Sequence, residues 1–560
     1  MIRPTPSQIA IRDTRARDLL VIAPAGCGKT EALALRIQGL LQRGDVRAPQ
    51  KVLVTTFSNR ARDNVRERLQ EYLPRSLLRD RVTITNFHGL AARLFRAHAN
   101  VVDLDPAMTI PEGDWVGQQC RSRGFDFNTS AGVQTTMRLA KQERRTDDEV
   151  EAYLGLPGRE AAFAIERQRI AEGRLTYDDL PRLAELILEN DAVADLYQAQ
   201  FGSVIVDEFQ DLTPQQLRIV NRIGYKKTTY AGDLAQGIYG FAGAKPFDIN
   251  SAIRAECTEV IEFCESHRSS PSVLGMVNAM APLTGGTTLT AADPDSWPSG
   301  GLAASVVHPT SGSEAAWVTS VTQALIARVP NHRIGIISRT VGRRRFVEES
   351  LTAADVPFYR WDDGVLDTDT ASVMKSLLAR FDDRGYDAAS DKMAFLRAAA
   401  GLESIVDPTG RESLLSALLW CHDLLRDGLR PSEIRSRIRI GDSTTLITVP
   451  GVHLLTGHVG KGQQFDWVTI VGVEDGVLPD FRADTADEKT EEARVLSVML
   501  SRARHGVIVS RAVSVPTNAG RPIDRKPSAF LRNLASAVPL DDTGLVAWFS
   551  AADWTAIGGR

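Results

Sequence analysis

The chain alternates short apolar runs with stretches in which apolar residues recur every three to four positions. Leu19-Leu20-Val21-Ile22 is an apolar run of strand length, and a loop of small residues, Ala23 to Gly28, follows it. From Lys29-Thr30 to Ile37 the spacing turns helical. The same grammar returns twice. KVLVTTFSNRARDNVRERL, from Lys51 to Leu69, reads as a strand ending at Thr55-Thr56 and then a helix with charged and apolar faces; RVTITNFHGLAARLF, from Arg81, repeats it. Pro4 to Ile11 reads as a short capped segment ahead of the first strand. Three strand–loop–helix units in succession predict a parallel α/β sheet with its ligands at the carboxyl ends of the strands.

From about Ala91 to Gln200 the pattern is helical and charged without obvious strands, which predicts a helical insertion. Strand grammar resumes at FGSVIVDEFQD and continues in KTTYAGDLAQGIYGFAGA, from Lys227. A second α/β core begins near Glu262, with NHRIGIISRT (331–340) as its first clear strand and TTLITVPGVHLLT and DWVTIVGV as others. Between about Arg380 and Asp442 lies a shorter helical piece, whose IRSRIRI segment fits either a strand or a basic helix face. GVIVSRAV supplies one more strand before a short tail containing SAFLRNL. No repeat of solenoid period breaks the pattern.

Composition narrows the class. A length of 560 residues suggests roughly three or four domain-sized units. At 43% hydrophobic and 24% charged the chain is an ordinary globular one with ample core. The net charge of −4 confines any nucleic-acid footprint to a local groove, since no basic tail advertises one. Five cysteines (Cys27, Cys120, Cys257, Cys264 and Cys421) form no CxxC pair, which argues against a metal cluster or disulfide framework and fits a reducing compartment. MIRPTPSQ has no apolar signal-peptide segment and no apolar run approaches ~18 residues, so a cytoplasmic protein without membrane contact is expected.

The chemistry is concentrated at two strand ends. Strand, small-residue loop and helix start are the context of a P-loop, here APAGCGKT, with Ala23 where the strict pattern has glycine. Ala25, Gly26, Cys27 and Gly28 would cradle phosphates through backbone N–H groups and the positive helix end. Lys29 would reach the β- and γ-phosphates, and the Thr30 hydroxyl would hold Mg²⁺. Asp207-Glu208 follows the apolar Val204-Ile205-Val206, so both acids should emerge beside that loop. One would position Mg²⁺ and the other polarise a water for in-line attack. Cys27 stands there as a small residue, or as an oxidation-sensitive thiol. His88 and His458 lack metal-ligand spacing, which disfavours zinc.

Nine segments in order resemble a superfamily 1 DNA helicase of the UvrD/Rep/PcrA type: Gln8, APAGCGKT, TTFSNRARDNVRERL, TNFHGLA, VDEFQD, AGDLAQGIYGFAGA, ESHRSS, LLTGHVGKGQQFDWVTIVGVEDGVLP and EEARVLSVMLSRAR. The resemblance implies two RecA-like parallel-sheet motor cores with helical insertions. Core 1A would take 1–90 and 196–262, insertion 1B 91–195, core 2A 263–379 and 443–535, a reduced 2B insertion 380–442, and a tail 536–560. It also implies residue roles. Gln8 would read adenine, Lys29 and Thr30 bind phosphate and metal, Asp207 hold Mg²⁺ and Glu208 act as base. Gln236 would sense the γ-phosphate, with Arg268 and Arg502 as arginine fingers from the second core. Phe57, Asn59, His88, Tyr239, Phe241 and His458 match contacts to single-stranded DNA.

Several positions depart from that family. His267 replaces the aromatic before Arg268 and would stack on adenine more weakly. Gln464 replaces a glutamate near the ribose, Ala242 an arginine, Ser497 a tyrosine, and SAKG becomes VGKG. The implied activity is ATP-dependent 3′→5′ movement on single-stranded DNA with unwinding at single-strand/duplex junctions, as in DNA repair. One alternative is a motor subunit partnered by a nuclease or other protein, as in antiviral defence of the Gabija kind. Another is a nucleotide-gated DNA-binding switch that does not travel.

Overall fold

In the computed structural model the described residues are 4–56, 59–109, 115–125, 127–240, 243–361, 365–366, 368–402, 408–426, 428–440, 447–458, 460–517 and 521–560. Six short strands of the first half form one parallel sheet: β1 (Leu19–Ile22), β2 (Lys51–Thr56), β3 (Val82–Asn86), β4 (Phe201–Asp207), β5 (Thr228–Gly232) and β6 (Glu259–Glu262). Their order across the sheet is β3-β2-β4-β5-β1-β6. β1 is buried along its whole length because helices cover both faces, which is why its sequence shows no polar alternation.

Alternate residues feed two cores. Leu19 and Val21 pack with Val52, Val54, Leu33 and Ile37 on one face. Leu20 and Ile22 pack with Leu53, Val204, Leu94 and Leu183 on the other. Leu94 lies on helix Phe87–His98 and Leu183 on helix Asp179–Glu189. The second of these helices, expected within an insertion running to 195, thus forms part of the layer covering the sheet. A separate small core, including Trp115, Met137, Leu154 and Ile165, unites the four helices between Trp115 and Ala171.

A buried ion network joins that helical piece to the sheet layer. Lys141 Nζ lies 2.8 Å from Glu166 and 2.9 Å from Asp179, and Arg182 lies 2.8 Å from Asp179. Each buried charge has an opposite partner, the condition under which such burial is tolerable.

The second sheet contains β7 (Leu302–Thr310), β8 (Arg333–Ser338), β9 (Phe358–Arg360), β10 (Gly451–Thr456), β11 (Phe465–Val471), β12 (Ala503–Pro516) and the short β13 (Pro522–Asp524). The order runs β9-β10-β8-β11-β12, with β7 parallel to β12 and β13 antiparallel to its end. β7 precedes the strand that the sequence pattern gave as the first of this core. Helix Thr368–Ala379 packs through Ala371 and Met374 against Leu414, Leu418 and Ile434, so the helical module begins before residue 380. Within IRSRIRI, helix Pro431–Arg437 hands over to Arg439–Ile440, a two-residue strand paired with Val365–Leu366. Both readings of that segment therefore hold in part.

The expected tail is an added layer on the second sheet. Leu540 N donates to Ala303 O (2.9 Å) and Ser305 N to Leu540 O (2.8 Å). Leu545 and Ile557, on helices Asp542–Ala551 and Trp554–Gly558, pack with Leu302, Ala304, Trp467 and Ile508. Among the described residues no helix is long and apolar enough to cross a membrane.

Candidate active site between the two cores

Strand register assembles the site. Ile22, the last residue of β1, pairs with Gly232 at the end of β5, and Asp207 of β4 pairs with Ala231. The loop after β1, the two acids after β4 and Asp233 after β5 therefore leave the sheet at the same edge. Gly26 and Gly28 have φ of +87° and +80°, a backbone that side chains resist. A Cβ on Gly26 would also meet Arg268 Cβ at 2.6 Å. Gly28 caps helix Lys29–Gln42 without a side-chain hydrogen bond, so the first N–H groups of the helix are not taken by a capping side chain.

Lys29 Nζ lies 2.9 Å from Asp207 Oδ1 and 2.5 Å from Glu208 Oε1. Burial works against the charge on Lys29, yet the two carboxylates outweigh it and raise its pKa. Burial likewise opposes the charge on Glu208, but Lys29, with Lys461 behind it, pulls that carboxyl down to about 2. Asp207 moves the other way: its burial, with Glu208 adjacent, outweighs Lys29 and raises its pKa. Glu208 has φ +61°, unusual for a non-glycine residue and common at sites where geometry is over-determined. Gln210 Nε2 donates to Glu208 Oε2 (2.5 Å) and its Oε1 accepts from Asp233 N (3.0 Å), tying the ends of β4 and β5 together. Gln236 Nε2 donates to Asp233 Oδ2 (3.0 Å).

Cys27 is buried, and burial pushes its thiol up to about 12, which removes it as a reactive thiol. Gln8 accepts from Thr5 N (2.9 Å) and donates to Gly28 O (3.2 Å), so its amide braces the loop, and an adenine contact has to share those groups. Thr30 and Ala25 are half-buried; Ala25 lines a cavity of about 20 Å³ with Gln236 and Ser501.

The second core reaches this edge with two arginines. His267, exposed, donates its backbone N–H to Gly26 O (3.0 Å), which brings Arg268 onto the loop. The Arg268 tip is enclosed, and the Gln464 amide, when turned with its oxygen toward the guanidinium, accepts from Nη2 (2.6 Å) and Nε (3.0 Å). Arg502 is buried and donates from Nε to Val498 O (2.9 Å) and from Nη2 to Ser501 Oγ (2.8 Å). Among the described residues neither arginine pairs with a carboxylate. Burial lowers Arg268 to about 10; burial, then Arg268, lowers Arg502 to about 9. Guanidinium stays protonated at neutral pH even so. Two enclosed cations with no directly paired carboxylate among the described residues, one of them against the P-loop, make a place for an anion.

Of the residues matched to DNA contacts, Phe57 and Phe241 lie outside the described residues, and Asn59 begins helix Asn59–Tyr72. His88 is half-buried with its ring edge-on to Tyr177 at 5.2 Å. Burial lowers His458 to about 4, so at neutral pH it carries no charge. Tyr239 is half-buried under Lys461, whose Nζ is 4.5 Å from the ring centroid.

Sequence reasoning passed over three residues here. Lys461 Nζ donates to Asp211 Oδ1 (2.9 Å) and Oδ2 (2.7 Å) and to Gln236 O (2.7 Å). Glu491 Oε1 accepts from Gly240 N (3.0 Å). All three stand inside VDEFQD, HVGKG or EEAR; opposite charges in motifs from opposite cores were the available signal for Lys461 and Asp211, whereas Glu491 meets a backbone amide that leaves no mark in the sequence.

Fold and cleft together define a P-loop motor protein with two α/β cores. The family model described as UvrD/REP helicase N-terminal domain matches residues 5–255, and the UvrD-like helicase C-terminal domain matches residues 433–514. The ATP-dependent DNA helicase UvrD2 of Mycobacterium tuberculosis (strain ATCC 25618 / H37Rv) is 29% identical, over 93% of this chain and 80% of its own length. The ATP-dependent DNA helicase PcrA of Staphylococcus aureus (strain NCTC 8325 / PS 47) is 23% identical, over 95% of this chain and 86% of its own. The chain belongs to the UvrD/Rep family of ATP-dependent DNA helicases.

Proposed function

We propose that this helicase travels 3′→5′ on single-stranded DNA, hydrolysing ATP with Mg²⁺ in the cleft between its cores, and unwinds duplex at junctions. The observation that carries the reading is the pair Arg268 and Arg502: enclosed, without carboxylate partners among the described residues, Arg268 against the P-loop and Arg502 within electrostatic reach of Arg268 and of Glu208. Anionic phosphate is the ligand that relieves them, and binding it draws the cores together.

Lys29 and the start of helix Lys29–Gln42 would hold the β- and γ-phosphates. Thr30 and Asp207 offer only oxygen donors, the set that suits Mg²⁺ when phosphates complete its shell. That ion would neutralise charge on the transferring group. Glu208, kept ionised by Lys29, would take the proton of the attacking water. Gln236, braced on Asp233, would respond to the γ-phosphate, while Gln8 and His267 would flank the base and Gln464 the ribose. Tyr239, His88 and His458, with Phe57, Asn59 and Phe241, would line the strand, where stacking is worth roughly 1–3 kcal/mol per base.

A translocation assay that displaces streptavidin from a biotinylated strand end tests the reading. Displacement from the end reached by 3′→5′ movement supports it; ATP hydrolysis with no displacement at either end leaves a nucleotide-gated switch.

A second reading makes the protein the motor subunit of an assembly with a nuclease. The helical module between Thr368 and Ile440, small beside the 2B insertion of the family it resembles, favours it. Efficient unwinding by the pure monomer would remove it.

A further inference from the structure

Residues 236–240 connect the two candidate sites, with Gln236 at the nucleotide end and Tyr239 on the side assigned to the strand. Two side chains of the second core grip this segment. Lys461 bonds the Gln236 carbonyl and Asp211 and lies over the Tyr239 ring. Glu491 accepts from the Gly240 amide at 3.0 Å. A Cβ on Gly240 would stand 2.2 Å from Glu491 Oε2, so only glycine admits the carboxylate this closely. Arg494, one turn further along the same helix, packs its guanidinium 4.4 Å from the Phe247 ring of the first core.

These grips belong to the elements that carry the arginines. Glu491 and Arg494 lie on helix Ala486–Leu500, which ends just before Arg502. Lys461 lies in the loop that ends at Gln464, the partner of Arg268. A helix is stiff over this length, so a shift of Arg502 toward phosphate moves Glu491 with it. Through the Gly240 amide, that shift reaches Tyr239 without any contact between nucleotide and DNA.

We propose that Glu491 is the coupling residue of this motor: it holds Gly240 to the second core, with Lys461 as a second hold, and so passes nucleotide-driven closure to the strand-facing Tyr239. It is a positioning residue that touches neither nucleotide nor strand. The proposal rests on the reading of Tyr239 as a strand contact.

The test uses the full chain and three variants: E491A, E491Q (which keeps an acceptor for the amide) and Y239A. DNA-free ATPase, DNA-stimulated kcat, KM for ATP, thermal midpoint and ATP hydrolysed per nucleotide travelled are measured for each. E491A should lose stimulation by roughly tenfold, within the range of about 5–150-fold that inter-site coupling spans. It should also spend more ATP per nucleotide, with DNA-free rate, KM and midpoint unchanged. E491Q should restore most of the loss. Normal stimulation and normal ATP per nucleotide in E491A overturn the proposal, as does an equal loss in E491A and E491Q with a lowered midpoint. If Y239A binds and responds to DNA as the unmodified protein does, the strand reading itself fails, whatever E491A shows.

Discussion

Lys29 and Glu208 form an ion pair of 2.5 Å at the meeting point of the P-loop and β4. In the proposed site, ATP phosphates would compete with Glu208 and Asp207 for the same ammonium group. Replacing Glu208 by Gln removes one competitor together with the proposed base. Turnover should fall by about 10²–10⁴-fold, the usual worth of a positioned base, while ATP affinity stays the same or tightens. Calorimetric titration beside steady-state ATPase checks this. Lys29→Ala, by contrast, should lose both binding and turnover. Normal turnover in either variant would refute the site assignment.

Arg502 has only carbonyl and hydroxyl partners among the described residues. Arg502→Ala should reduce ATPase kcat on the order of 10³-fold, the scale of an arginine finger, with little change in single-strand affinity. Arg502→Lys should recover only part, because an ammonium lacks the planar fork. Stopped-flow ATPase and fluorescence anisotropy with a labelled oligonucleotide separate the two effects.

Asp211 gives a pH signature. Burial pushes its carboxyl up to about 6, although Lys461 opposes the shift. An unfolded aspartate titrates near ~3.9, so the folded chain binds this proton more readily. Its contribution to stability therefore rises as pH falls from above 6 toward 4. Over the same window its ion pair with Lys461, a link between the cores, is lost. DNA-stimulated ATPase should decline below about pH 6 with no matching decline in thermal midpoint from this group, and Asp211→Asn should lack that inflection. Identical pH profiles for the two proteins would contradict the assignment.

Leu545 tests whether the final helices are structural. It is buried against Leu302 and Trp467. Leu545→Ala should destabilise the protein by about 2–5 kcal/mol, measured by denaturant unfolding of the second core. A change of a few tenths would mean that these helices dock weakly.

The sequence speaks most clearly where cause is local. The run Leu19–Ile22, the small loop and the helix beginning at Lys29 are contiguous, and so are the strand and acids at Val204–Glu208. Arg268 and Arg502 are different: nothing near them in the chain points to phosphate, and only resemblance of the motifs around them did so. Glu491 and Lys461 escaped because their meaning lies in Gly240 and Asp211, more than two hundred residues away. β7 escaped because LAASVVHPT is rich in small and polar residues, and its burial comes from pairing with β12. The last two helices read as a tail because their apolar faces are meaningful only beside Leu302 and Trp467. The motif match points Gln8 at adenine, and its bond to Gly28 adds a bracing part in the loop that no local pattern announces.

The most direct test of the central claim is steady-state ATPase with and without single-stranded DNA, run beside unwinding of 3′- and 5′-tailed duplexes. The account predicts strong stimulation of hydrolysis and unwinding from the 3′ tail alone. Hydrolysis indifferent to DNA, or unwinding from the 5′ tail, would contradict it.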